Sequence, residues 1–333
     1  MKNLRLRLLV FLIVLAACEP LAPEASQQVI VVTSPPTATP SASETPVFGN
    51  NIPATPVVVT AAPRFPSPSP TTLIIPTATV PPCASTTGTY FENELQSQIS
   101  TDPIPYNIYL PPCFFESGRR FPYLILMHGS GYTYQQWTDL EIQSVLDSLI
   151  NEGTVAPMVV VMPEGGAFQE NNVFDAGVSY EDIILNELIP DIERNFCVRD
   201  GRAGRAIGGI SRGGFWAFLI AFRHPELFTT VGGHSPFFAP DNAPTSHNPL
   251  ALAERAIGIE DLRIYLDNPQ NDNGSANVIV FSNALRSRGI IHTYIINPVG
   301  GHDNDYWGSH LSEYLEFYAQ SWTTDVTKLP SCQ

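Results

Sequence analysis

Gly209-Ile210-Ser211-Arg212-Gly213 has the pattern G-x-S-x-G, and the chemistry it suggests is that of a nucleophilic serine. On a sharp strand-to-helix turn the hydroxyl of such a serine stands exposed above a sheet. Glycines two residues to either side are needed because a Cβ there would strike the neighbouring strand or helix. The bare pattern also arises in ordinary Gly-rich turns, so its setting has to decide. A serine hydroxyl attacks a carbonyl carbon well only when a base takes its proton, which calls for a histidine and for an acid to orient it. The charge that develops on the carbonyl oxygen calls in turn for N–H donors aimed at it.

These groups must be carried by elements that the sequence should show. Arg205 to Ile210 reads as a buried strand and Arg212 to Phe222 as a helix, the setting the turn requires. Tyr123 to His128, Met158 to Met162, Thr229 to Gly233, Leu262 to Leu266 and His292 to Ile296 read as further strands. Helical patterns cover Trp137 to Asn151, Tyr180 to Phe196, Ala276 to Ser287 and Tyr306 to Trp322. Continuous apolar strands alternating with helices indicate an α/β fold, a mostly parallel sheet covered on both faces. Thr89 to Gln96 and Tyr106 to Leu110 form a hairpin pattern before the alternation begins, which adds an antiparallel edge and brings the sheet to about eight strands.

On such a fold the acid and the histidine follow the serine in the chain. His302 stands out among seven histidines: it follows the last strand in Pro298-Val299-Gly300-Gly301-His302-Asp303, at the carboxyl edge where catalytic groups of open α/β sheets collect. His224 more naturally ends the nucleophile helix, His234 and His247 precede the acid strand, His292 lies in a strand and His310 on the final helix. The acid should come from the loop after Leu262 to Leu266, where Asp267 and Asp272 compete and spacing does not separate them. The oxyanion donors expected are the backbone amides of Arg212, just after the nucleophile, and of Ser130 in His128-Gly129-Ser130-Gly131, with His128 bracing that loop. Trp137, Trp216, Trp307 and Tyr132 fall near these segments and could line a substrate cleft, although aromatics serve equally well in cores.

With these residues in place, the stretch from about Tyr106 to Trp322 resembles the putative esterase family of α/β-hydrolases. That family includes esterase D, enterochelin esterase, feruloyl esterase modules and the antigen 85 mycolyltransferases. The matching segments are Tyr109-Leu110-Pro111-Pro112, Leu126-Met127-His128-Gly129, Gly209 to Gly214, His224-Pro225-Glu226-Leu227-Phe228, Tyr265-Leu266-Asp267 and Gly301-His302-Asp303. The resemblance implies an α/β-hydrolase fold and a Ser211, His302, Asp272 triad, because relatives continue the acid strand as Leu-Asp-x-Gly-x-x-Asp and use the second aspartate. Pro269 stands here where the family has glycine. It further implies esters on carbohydrate, acetyl or feruloyl, with siderophore ester hydrolysis or acyl transfer of the mycolyltransferase type as alternatives. A non-catalytic carbohydrate-binding surface module is the rival from another class. No metal or organic cofactor is called for.

The rest of the chain suggests where such a domain would work. Met1 to Cys18 carries Lys2, Arg5 and Arg7, then the apolar run Leu8 to Ala17, the plan of a secretory signal. As a helix that run would be about 15 Å long, half the hydrocarbon core of a bilayer. Its end, Leu15-Ala16-Ala17-Cys18, resembles the lipobox of bacterial lipoproteins, which implies cleavage after residue 17, a lipid on Cys18 and a membrane-anchored, exported domain. Residues 18–82 are rich in Pro, Thr and Ser and read as a disordered stalk, leaving residues 83–333 as the esterase domain. Four cysteines remain in an exported chain, and two disulfides are expected in one of three possible connectivities, of which Cys83 with Cys113 and Cys197 with Cys332 is favoured because the first pair flanks the hairpin. The formal charge of −15 argues against a nucleic-acid partner, which would need clustered Lys and Arg.

Overall fold

A computed structural model of the chain describes residues 27–32 and 84–332. The strands are β1 (Gln28–Val32), β2 (Thr89–Leu95), β3 (Ile104–Leu110), β4 (Tyr123–Met127), β5 (Val159–Pro163), β6 (Arg205–Ile210), β7 (Thr230–His234), β8 (Arg263–Pro269) and β9 (His292–Asn297). They form one sheet in the order β1-β9-β8-β7-β6-β4-β5-β3-β2. The run from β9 to β5 is parallel, and β3, β2 and β1 pair antiparallel at the two ends. This is the mostly parallel α/β sheet expected from the alternation of apolar strands and helices.

Successive residues of a strand point to opposite faces, and the core divides accordingly. Tyr123, Ile125 and Met127 of β4 join one buried cluster, with Phe215, Phe218 and Phe281. Leu124 and Leu126 join the other, with Trp137, Trp307 and Tyr314. The helix α2 (Arg212–Arg223) lies on the first face and is buried from Arg212 through Phe222, which explains its apolar run. The helices α1 (Ile142–Asn151), α4 (Asn304–Ser309) and α5 (Leu311–Ala319) cover the second face, and α3 (Ser275–Ser287) the first.

Two helices expected to be continuous are broken. The pattern from Trp137 to Asn151 becomes a short helix, Gln136–Asp139, and then α1, because Glu141 takes a left-handed conformation with φ 63°. Tyr306 to Trp322 divides at His310 into α4 and α5. The stretch read as a stalk also needs correction at one place. Gln28–Val32 is a β-branched run that pairs with β9 from Gln28 opposite Ile296 to Val32 opposite His292, so it covers a sheet edge that would otherwise leave backbone groups unpaired. Among the described residues no helix is long and apolar enough to cross a membrane. Cys197 and Cys332 form a disulfide across 135 residues. Cys113 is disulfide-bonded as well, whereas Cys83 and Cys18 lie outside the described residues.

Candidate active site

Strand β6 delivers Ser211 to the carboxyl edge of the sheet in a conformation that strands and helices avoid, φ 52° and ψ −110°. The turn is held from three sides: the Ser211 amide donates to the His234 carbonyl at 2.9 Å, and the Ser211 carbonyl accepts from Phe215 and Phe237. Its glycines are sterically required. A Cβ on Gly209 would overlap the Gly213 carbonyl group, and one on Gly213 would overlap the carbonyls of Met127 and His128.

Loops after β8 and β9 bring the other two groups to the same edge. Ser211 Oγ lies 2.9 Å from His302 Nε2, and His302 Nδ1 lies 2.8 Å from Asp272 Oδ2. Asp272 Oδ1 accepts from the Gly274 amide at 2.7 Å. Burial would raise the Asp272 carboxyl, but the hydrogen bonds from His302 and Gly274 outweigh it and hold it below the usual aspartate value. An ionised carboxylate can only accept, so the imidazole proton sits on Nδ1 and Nε2 is free to accept the serine proton.

The competing acid is committed elsewhere. Asp267 is fully buried; its Oδ1 lies 2.8 Å from His234 Nδ1, and its Oδ2 accepts from Tyr306 at 2.6 Å and Tyr314 at 2.8 Å. His234 Nε2 in turn lies 3.1 Å from the Tyr318 hydroxyl. Two Asp–His pairs therefore stand at this edge, and only the His302–Asp272 pair reaches the serine hydroxyl.

Arg212 and Ser130 border one cleft of about 300 Å³ together with Ser211, Glu170, Asn172, Phe237 and Asn242. Arg212 opens α2, where first-turn amides have no partner within the helix. His128 does brace the loop: its Nε2 accepts from the Gly165 amide at 2.9 Å, and its carbonyl accepts from Gln169 Nε2 at 2.9 Å. Gln136 was not visible as a site residue from sequence. Its Oε1 accepts from the Gly129 amide at 2.7 Å while its Nε2 donates to Asn304 Oδ1 at 2.8 Å, which ties the Ser130 loop to the His302 loop. Glu170, Asn172 and Asn242 were also missed, and nothing in their local sequence marks them beyond the nearby Gly165-Gly166.

The aromatic cleft needs correction. Trp137 is 1 % exposed and donates Nε1 to the Met127 carbonyl; it is a core residue. Trp216 is equally enclosed, with its Nε1 donating to the Gln169 carbonyl. Trp307 is also 1 % exposed, yet its ring stands edge-on to His302 with centroids 5.0 Å apart, so it packs against the imidazole. Tyr132, 40 % exposed, packs edge-on against Trp307 and is the one of the four at the surface.

A model of the family described as "Putative esterase" matches residues 97–326. The chain belongs to that family. Within it, the chain is 33 % identical over 134 residues to an endo-1,4-beta-xylanase/feruloyl esterase of Xylanibacter ruminicola, an alignment covering 37 % of this chain and 18 % of that one. An esterase of Mycobacterium tuberculosis is 33 % identical over 133 residues, 39 % of this chain and 28 % of its own. The chain thus spans less than a third of the length of these two relatives. Among solved structures, a ferulic acid esterase superposes with a TM-score of 0.65 at 25 % identity, covering 72 % of this chain and 100 % of that one. The S-formylglutathione hydrolase of Staphylococcus aureus shares the fold, with a TM-score of 0.61 at 19 % identity over 70 % of this chain and 99 % of its own.

Proposed function

We propose that this esterase-family chain is a serine hydrolase of carboxylic esters, acting on acetyl or feruloyl groups carried by carbohydrate. The observation that carries the reading is the unbroken line of contacts from Ser211 Oγ through His302 to Asp272, with distances of 2.9 and 2.8 Å. His302 Nε2 takes the hydroxyl proton as Oγ bonds to the ester carbonyl carbon, and the Arg212 and Ser130 amides receive the oxyanion. The intermediate collapses by breaking the bond to the alcohol oxygen, which leaves with the proton from His302. Water then repeats the sequence on the acyl-enzyme, releasing the acid and restoring Ser211. Asp272 stabilises the imidazolium throughout.

The substrate class is supported by the relatives named as feruloyl esterases and by the polar side chains of Glu170, Asn172 and Asn242 in the lining of the cleft. Export and a lipid on Cys18 are supported by the basic start, the short apolar run and Leu15-Ala16-Ala17-Cys18. The test is hydrolysis of p-nitrophenyl acetate and methyl ferulate by the full chain, beside Ser211→Ala and His302→Ala. Each variant should lose at least about a thousandfold in kcat, and wild-type rates in Ser211→Ala would overturn the reading. Cys18→Ala should leave the membrane fraction; retention there would remove the anchor from the proposal.

A further inference from the structure

The cleft beside Ser211 holds a buried cation that the protein leaves without a counter-ion. Arg212 is 5 % exposed, and its guanidinium lies 4.5 Å over the Phe215 ring and 5.7 Å from that of Trp216. Nε donates to the Gln169 carbonyl at 2.9 Å and Nη2 donates to Asn172 Oδ1. Both partners are neutral. The arginine ion pairs among the described residues belong to Arg194, Arg205 and Arg223. Glu170 borders the same cleft, but its carboxylate is taken by Ser130 Oγ at 2.7 Å and the Gly131 amide at 3.3 Å, and it acts on Arg212 only from a distance.

Burial lowers the guanidinium to about 10, so it stays charged at neutral pH. A buried charge without a partner is expensive to keep. The contacts to Gln169 and Asn172 leave Nη1 unused. In the lining of the same cleft, Asn242 Nδ2 is enclosed without a hydrogen-bond partner, while its Oδ1 accepts from Asn172 at 3.2 Å. Two residues with a vacant donor, one of them charged, therefore line the same cleft as the nucleophile.

We propose that Arg212, helped by Asn242, recognises a carboxylate on the ester substrate. A guanidinium fork suits a carboxylate better than a hydroxyl, because both of its oxygens can accept. This rests on the reading of Ser211 as nucleophile and narrows the substrate to acidic esters, such as esters of a uronic or other carboxylate-bearing sugar. The acid can lie on either side of the scissile bond, and the test has an arm for each.

The experiment compares kcat/KM of the full chain on two matched pairs at fixed ionic strength. On the acyl side these are p-nitrophenyl hydrogen glutarate and its methyl ester; on the alcohol side they are 4-acetoxybenzoate and its methyl ester, followed by acetate release. The wild type should prefer the carboxylate by about tenfold or more in one pair, and Arg212→Gln should bring that ratio close to one. The ratio is the readout, so a general loss of rate through the neighbouring amide cancels. A wild type indifferent to charge in both pairs overturns the inference, and so does a preference that survives in Arg212→Gln. The latter result would leave Arg212 as a fastener of the segment around Gln169 and Asn172. If that variant does not fold, competitive inhibition of the wild type on p-nitrophenyl acetate decides: monomethyl glutarate over dimethyl glutarate on the acyl side, or 4-hydroxybenzoate over its methyl ester on the alcohol side, should inhibit at least tenfold more strongly, and equal inhibition within both pairs overturns. Hydrolysis undiminished in Ser211→Ala would instead refute the underlying reading.

Discussion

Replacing Asp272 by asparagine tests the geometry most directly, because the change keeps size and shape and reverses one proton. The Gly274 amide donates to Oδ1 and needs an oxygen there, so the asparagine carbonyl is held at that position and its NH2 group faces His302 Nδ1. An NH2 can only donate. Nδ1 must then accept, the imidazole proton moves to Nε2, and the ring can no longer take the proton of Ser211. A loss of the correct tautomer with the contacts otherwise kept is worth a factor of about 10³ to 10⁴ in kcat, or about 4 to 5.5 kcal/mol of barrier. Asp267→Asn should behave differently. It removes the charge that serves His234, Tyr306 and Tyr314 and so costs about 3 to 5 kcal/mol of stability, with a much smaller effect on kcat per folded molecule. The assay is p-nitrophenyl acetate hydrolysis, normalised to the folded fraction by denaturant titration. The reasoning fails if Asp272→Asn stays within tenfold of wild type, or if Asp267→Asn loses more kcat than Asp272→Asn.

Gln136→Leu should lower kcat about tenfold with little change in fold, because the Ser130 and His302 loops lose their common tie; circular dichroism beside kinetics separates the two effects. His224 is raised by its hydrogen bond to Glu181, so its contribution to stability is fully present below about pH 6.5 and fades as pH rises through the folded value. The Tm gap between wild type and His224→Gln should therefore shrink between pH 6 and pH 9, and a gap that widens would contradict the assignment. Removing the Cys197–Cys332 bond as a double serine variant should cost about 3 to 5 kcal/mol, given the 135-residue separation it spans, as read by urea denaturation.

The sequence exposes the site wherever one local pattern suffices. Ser211 sits between an apolar strand and an apolar helix, and β6 starts and ends where its pattern does, at Arg205 and Ile210. Asp267 and Asp272 could not be told apart in that way. Both lie at the carboxyl end of one strand, and what divides them is a pair of tyrosines and a histidine supplied by α4, α5 and β7. Trp137 and Trp307 show the same limit, since an indole near a loop has no local mark of whether it faces a cleft or a core. The break at Glu141 escapes because Asp139-Leu140-Glu141 contains neither glycine nor proline. Gln136 escapes because its role is created by two loops far apart in the chain.

β1 bears on where such an enzyme could reach. β1 and β2 occupy opposite ends of the nine-stranded sheet, so residues 33–83 connect points separated by eight strand spacings, about 38 Å. Gln27 donates to Asn297 Oδ1 at 3.0 Å, at the end of β9 from which the His302 loop departs. With a lipid on Cys18, nine residues would join membrane to protein, at most about 30 Å of chain. The anchor would leave from the catalytic edge of the sheet. The proposed tether would therefore confine turnover to esters within a few nanometres of the lipid surface, and would orient the cleft rather than merely suspend it.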